Sequence, residues 1–150
     1  IGETLFESIS RLTPAVSVEL IIKSRDQQSS LLTWRDDKLY GPGWHVPGGV
    51  VRFKETLTSR VQEVLKNEIG ATASKIEGPI GFHEIFNDKR DKRGHFICFV
   101  YKVVLIDDPA FGTKAQNGAI TGGSWRWFAK CPDNLIENQR SLVKYIDGKF

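Results

Sequence analysis

The 150 residues carry a net charge of +3, with 40% hydrophobic and 26% charged side chains. That size and balance describe one soluble globular domain that buries a substantial core without staples. The charge suits an anionic small molecule and falls far short of the basic load of a dedicated nucleic-acid binder.

In chain order, Leu5, Phe6, Ile9 and Leu12 form one stripe, so residues 3–12 are expected to make a short amphipathic helix docked on the domain. Residues 15–24, rich in β-branched side chains, and 31–35 read as two strands of a hairpin around the polar segment RDQQSS. A loop with a Gly-Pro-Gly turn leads to two short extended pieces around Pro47-Gly48-Gly49. Residues 56–69 give the best helix, with Leu57, Val61, Val64, Leu65 and Ile69 as its apolar face and Gly70 as its stop. Strands are expected at 74–87 and 95–106, joined by the charged run DKRDKRG (88–94), read as a solvated hairpin tip. A strand in SWRWFAK (124–130) and an amphipathic helix over 134–146 complete the chain. The sum is an α+β fold, an α/β/α sandwich, in one domain over 1–150.

No apolar run approaches the roughly 20 residues of a membrane span, and no charged-then-apolar signal pattern opens the chain. Cys98 and Cys131 have no metal-type spacing and read as reduced thiols of a cytoplasmic protein. With no methionine present, the natural start is expected to lie upstream of Ile1.

The chemistry concentrates in GGVVRFKETLTSRVQEVLKNEIGA (49–72). A glycine pair before a helix permits a tight turn with accessible carbonyls. Positions 64, 67 and 68 share one helical arc, and three carboxylates there would suit Mg²⁺. The residues present are Val64, Asn67 and Glu68, so only one is acidic.

This stretch resembles the box of the Nudix hydrolases, G-x5-E-x7-R-E-U-x-E-E-x-G-U, over residues 49–71. Gly49, Glu55, Leu65, Glu68 and Gly70 fit at the right spacing, with Ala71 as the last small aliphatic. Glu63, Val64 and Asn67 depart from it, standing where the family has arginine and its first two metal-binding glutamates. The departures are similar to those of the GDP-mannose mannosyl hydrolases, and LTPAVSVELII, LLTWRDDKLYGPGWHVPGG, GFHEIF and WRWF extend that similarity.

The resemblance implies a Nudix-type sandwich and Mg²⁺ as cofactor, with Mn²⁺ as the alternative. It implies a nucleotide substrate, with no nucleic acid and no membrane as partner. Glu68 and the Gly48 carbonyl are the expected metal ligands; Glu55, beside the positive end of the helix, has either a structural or a metal role. Arg35 is expected on the departing diphosphate, with Glu19 near the same leaving group. The branch's Gln-His pair falls on Thr121 and Gly122, so the general base is open. Gln116, His83 and Glu84 are the substitutes considered. Tyr40 or Trp44 is a candidate base-stacking ring, against ordinary packing for the tryptophans.

The leading expectation is hydrolysis of a GDP-sugar by water attack at sugar C1, releasing GDP and sugar. The alternatives are a catalytically inactive nucleotide-binding module and a pyrophosphohydrolase attacking phosphorus. The resemblance also raises a homodimer, with the N-terminal helix as its contact.

Overall fold

The computed structural model describes residues 2–37, 40–115 and 120–150. Its centre is β1 (Ala15–Lys23), which pairs in parallel with β6 (His95–Leu105) along its whole length. On its other edge β1 changes partner. Ser17, Val18 and Glu19 face β4 (Gly48–Val50), whereas Ile22 and Lys23 face β2 (Ser30–Arg35). Two strands thus diverge beside Glu19, and the gap between them becomes the floor of a cleft. Outward from β2 lie β3 (Gly43–His45) and β7 (Trp125–Phe128); β5 (Ala73–Phe86) closes the far edge against β6. Among the described residues these seven strands form one mixed sheet.

Alternation along β1 explains why the sheet is covered on both faces. Val18, Leu20 and Ile22 pack with Val61, Val64, Leu65 and Ile69 of the box helix. Ile21 faces a second core with Trp44, Leu142, Tyr145 and Ile146. This is the expected α+β sandwich. No helix among the described residues is long and apolar enough to cross a membrane.

The box helix, α2 (Leu57–Val64), starts at Thr56, whose side-chain oxygen accepts from Ser59 N at 3.0 Å. It continues as a π-helical turn over Leu65–Ile69 and stops at Gly70, in the left-handed region at φ 62°. Such wide turns recur at functional sites, and this one carries Glu68.

Three expectations change. The helix expected over 134–146 begins later, as a 3-10 segment Glu137–Leu142 and then α3 (Val143–Ile146). The cause is Trp44, whose backbone N–H donates to Asn134 O and whose carbonyl accepts from Ile136 N, holding Leu135 and Ile136 extended after a turn at Asn134. Helix α1 (Gly2–Ile9) is not docked by an apolar stripe: Leu5, Ile9 and Leu12 are exposed. The charged tip 88–94, expected to be solvated, is what holds that helix. Lys92 pairs with Glu7 at 2.8 Å, Arg11 with Asp91 at 3.1 Å, and Arg93 lies over the Phe6 ring.

Candidate active site

The cleft beside the diverging strands has a volume of about 380 Å³. Its wall includes Glu19 and Cys98 from the central strands, Arg35 and His45 from the β2–β3 side, Gly48, Gly49 and Glu68 from the box, and Asn138 and Gln139 from the C-terminal segment. Arg35, Glu19, Gly48 and Glu68 therefore meet in one place.

Glu68 opens onto the cleft but is crowded by its walls. The resulting desolvation pushes its carboxyl up to about 7, against the pull of Arg35 and Arg60. It makes no hydrogen bond or ion pair with another described residue. A partnerless carboxylate beside a glycine backbone is a hard-oxygen donor set, and it fits Mg²⁺, which keeps several waters and needs few protein ligands. Gly48 has no room for a side chain: a Cβ there would meet Val18 O at 2.5 Å.

The other box positions have different employment. Val64 is in the core, and Asn67 donates from Nδ2 to Glu63 Oε2 at 2.9 Å on the exposed surface. Glu55 is outside the cleft lining and grips Arg60 with both oxygens, at 2.7 and 2.8 Å, while accepting from Arg52 N. The Arg60 hydrogen bonds hold its carboxyl below the usual range.

At the cleft's inner end, Glu19 is 5% exposed. Its Oε2 lies 2.6 Å from His83 Nε2, and Ser141 Oγ lies 3.0 Å from His83 Nδ1. Gln139 accepts from Val46 N through Oε1 and donates to Val46 O and, at 3.5 Å, to Glu19 Oε1. Cys98 is buried beside Glu19, and desolvation pushes its thiol up to about 12. Glu84 stands apart, paired with His95 Nε2 at 2.7 Å.

At the mouth, Arg35 forms an ion pair with Asp37 and lies over the Tyr40 ring. Arg90 from the charged tip is also 4.9 Å from the Tyr40 ring centroid, and the Tyr40 hydroxyl donates to Arg93 O at 3.2 Å. Tyr40 is thus a platform for arginines. Trp44, the other stacking candidate, is 2% exposed and packs edge-on with Trp34 and Phe128. His45 donates from Nδ1 to Thr33 O at 2.9 Å, and burial, aided by Arg35, pushes its pKa down to about 4. Thr121 and Gly122 lie just before β7, Thr121 bonded to Ser124 Oγ and Gly122 near Asp36; Gln116 lies outside the described residues.

Gln139, Ser141 and Cys98 were not singled out as site residues in the sequence. They lie far along the chain from the box, and no local pattern marks a glutamine or serine that acts by contact.

No family model matches the chain. Among solved structures, the MutT Nudix hydrolase from Burkholderia pseudomallei is similar at TM-score 0.70 and 21% identity, over 88% of this chain and 97% of that one. The Nudix domain of Shewanella oneidensis NrtR, crystallised with ADP-ribose, is similar at TM-score 0.53 and 21% identity, over 77% and 73%. The fold is that of the Nudix hydrolases. In sequence, the chain is 36% identical over 107 residues to the low-salt glycan biosynthesis protein Agl8 of Haloferax volcanii, covering 69% of this chain and 67% of that protein. It belongs to the same family as Agl8.

Proposed function

We propose that the chain is a Mg²⁺-dependent hydrolase of a nucleoside diphosphate sugar, GDP-mannose-like, in which water attacks sugar C1. The observation that carries this reading is the meeting of Glu68, Gly48, Arg35 and the Glu19–His83 pair around one cleft. Kinship with a glycan biosynthesis protein is in keeping with a nucleotide-sugar substrate.

Glu68 and the Gly48 backbone would hold the cation, which when bound neutralises charge on the departing diphosphate. Arg35 would bind the same phosphate oxygens, its planar guanidinium matching them in pairs. Glu19 is the group suited to take the proton from water, since it lies in the cleft while His83 stands behind it. His83 and Gln139 orient that carboxylate, and Ser141 fixes the imidazole. Glu84, engaged with His95, has no part. Leu5 and Ile9, exposed on α1, offer apolar surface for a homodimer contact.

A nucleotide-binding module without turnover is the second reading, favoured by the absence of carboxylates at Val64 and Asn67. Incubation with GDP-mannose or GDP-glucose and Mg²⁺ in ¹⁸O-water decides among these. GDP with labelled free sugar is the expected outcome. Label only in phosphate, with nucleoside monophosphate and sugar phosphate, means attack at phosphorus. Binding without products means the module.

A further inference from the structure

Glu19, His83 and Cys98 come from three strands, β1, β5 and β6, brought side by side by the sheet. Among the described residues they form a group whose carboxylate, imidazole and sulfur atoms all lie within 4.8 Å of one another. We infer that this trio is a second metal site, distinct in chemistry from Glu68, that takes a borderline-soft divalent cation such as Zn²⁺ or Co²⁺.

The donor set is the first argument. One oxygen, one nitrogen and one sulfur match the ligand types of zinc, whereas Mg²⁺ avoids sulfur. Metal–ligand bonds of about 2.0–2.3 Å bridge ligand pairs up to about 4 Å apart, so the trio closes by shifts of under about 1 Å.

Support behind the ligands is the second argument. Ser141 Oγ sits 3.0 Å from His83 Nδ1, leaving Nε2 for the metal. Ser17 Oγ sits 3.0 Å from Cys98 Sγ, and Gln139 donates to the Glu19 oxygen that His83 does not use. Outer partners of this kind orient metal ligands.

Burial and charge are the third. Cys98 is 1% exposed and Glu19 5%. A carboxylate and a thiolate together cancel a divalent charge there, which removes the main cost of burying the ion. Binding forms one metal–sulfur bond and releases the Cys98 thiol proton to solvent, while the neutral His83 ring keeps its one proton on Nδ1, facing Ser141 Oγ, so that Nε2 binds the metal. Both Glu19 and Cys98 line the cleft, so a fourth position faces its solvent. Such a cation would occupy Glu19 and silence the hydrolysis proposed above; that consequence alone rests on the functional reading.

The test is Co²⁺ titration of the full chain, followed by the near-ultraviolet charge-transfer band that only a thiolate–cobalt bond gives. The band is expected in the wild type and in Cys131→Ser, to vanish in Cys98→Ser, and to be displaced by Zn²⁺. In His83→Gln, which keeps the thiol, it should need at least about tenfold more Co²⁺. That variant decides the matter even if Cys98→Ser fails to fold. Absence of the band in the wild type, or a band unchanged in Cys98→Ser or His83→Gln, overturns the site. Neither result depends on substrate or turnover.

Discussion

Val64 fills the space beside Gly49, where a Cβ would come within 2.9 Å of Val64 Cγ2. The position that carries a metal-binding glutamate in most Nudix boxes is here a fully enclosed piece of the core. The two residues fit each other, and the fit leaves no place for a carboxylate.

Val64→Glu is therefore expected not to restore a lost ligand. It should destabilise the fold by roughly 3 kcal/mol or more, the scale for an unpaired buried charge. Denaturant unfolding measures the loss. Mg²⁺ titration of the variant that remains folded should show no gain in affinity.

Glu55 and Glu68 separate by the same two measurements. Glu68→Gln should lower Mg²⁺-dependent turnover by roughly a hundredfold or more, with little change in Tm. Glu55→Gln breaks the grip on Arg60 and should lower Tm by several degrees, leaving Mg²⁺ affinity within about twofold. A fall in Mg²⁺ affinity in Glu55→Gln would give that residue a metal role.

Gly70→Ala carries two penalties, a left-handed backbone and contact with Phe111 Cγ at 2.9 Å. The expected cost is about 1–3 kcal/mol in unfolding free energy.

Acid should weaken the fold through His45. Its pKa falls from 6.5 in the unfolded chain to about 4 in the folded one, so between those values the unfolded state binds more protons. Stability from this group is present above pH 6.5 and lost as pH falls toward 4, by up to about 3 kcal/mol. His45→Gln should flatten that part of the stability–pH curve measured by urea unfolding.

The legible parts of the sequence were local. The apolar spacing from Leu57 to Ile69 and the Gly70 stop lie within one segment and specify the box helix. The strand runs are equally self-contained. What could not be read were meetings across the chain. Glu19 and His83 are 64 residues apart, and Gln139 lies 120 from Glu19, so nothing near any of them announces the contact. The helix expected from 134 failed for the same reason, because Trp44, ninety residues earlier, sets its start. Glu55 shows a further limit: its motif position is right, but nothing in the motif shows that both of its oxygens hold Arg60.

The late arrival of residues 137–142 at the cleft has a consequence for how the protein is made. A chain emerging from the ribosome has its sheet strands and box available before Gln139 and Ser141 are translated. Until that segment docks, Glu19 and His83 lack the contacts from Gln139 and Ser141. The side chains that orient Glu19 and His83 thus arrive together with Leu142, Tyr145 and Ile146 of the second core, so one late segment completes both the packing of that face and the wall of the cleft.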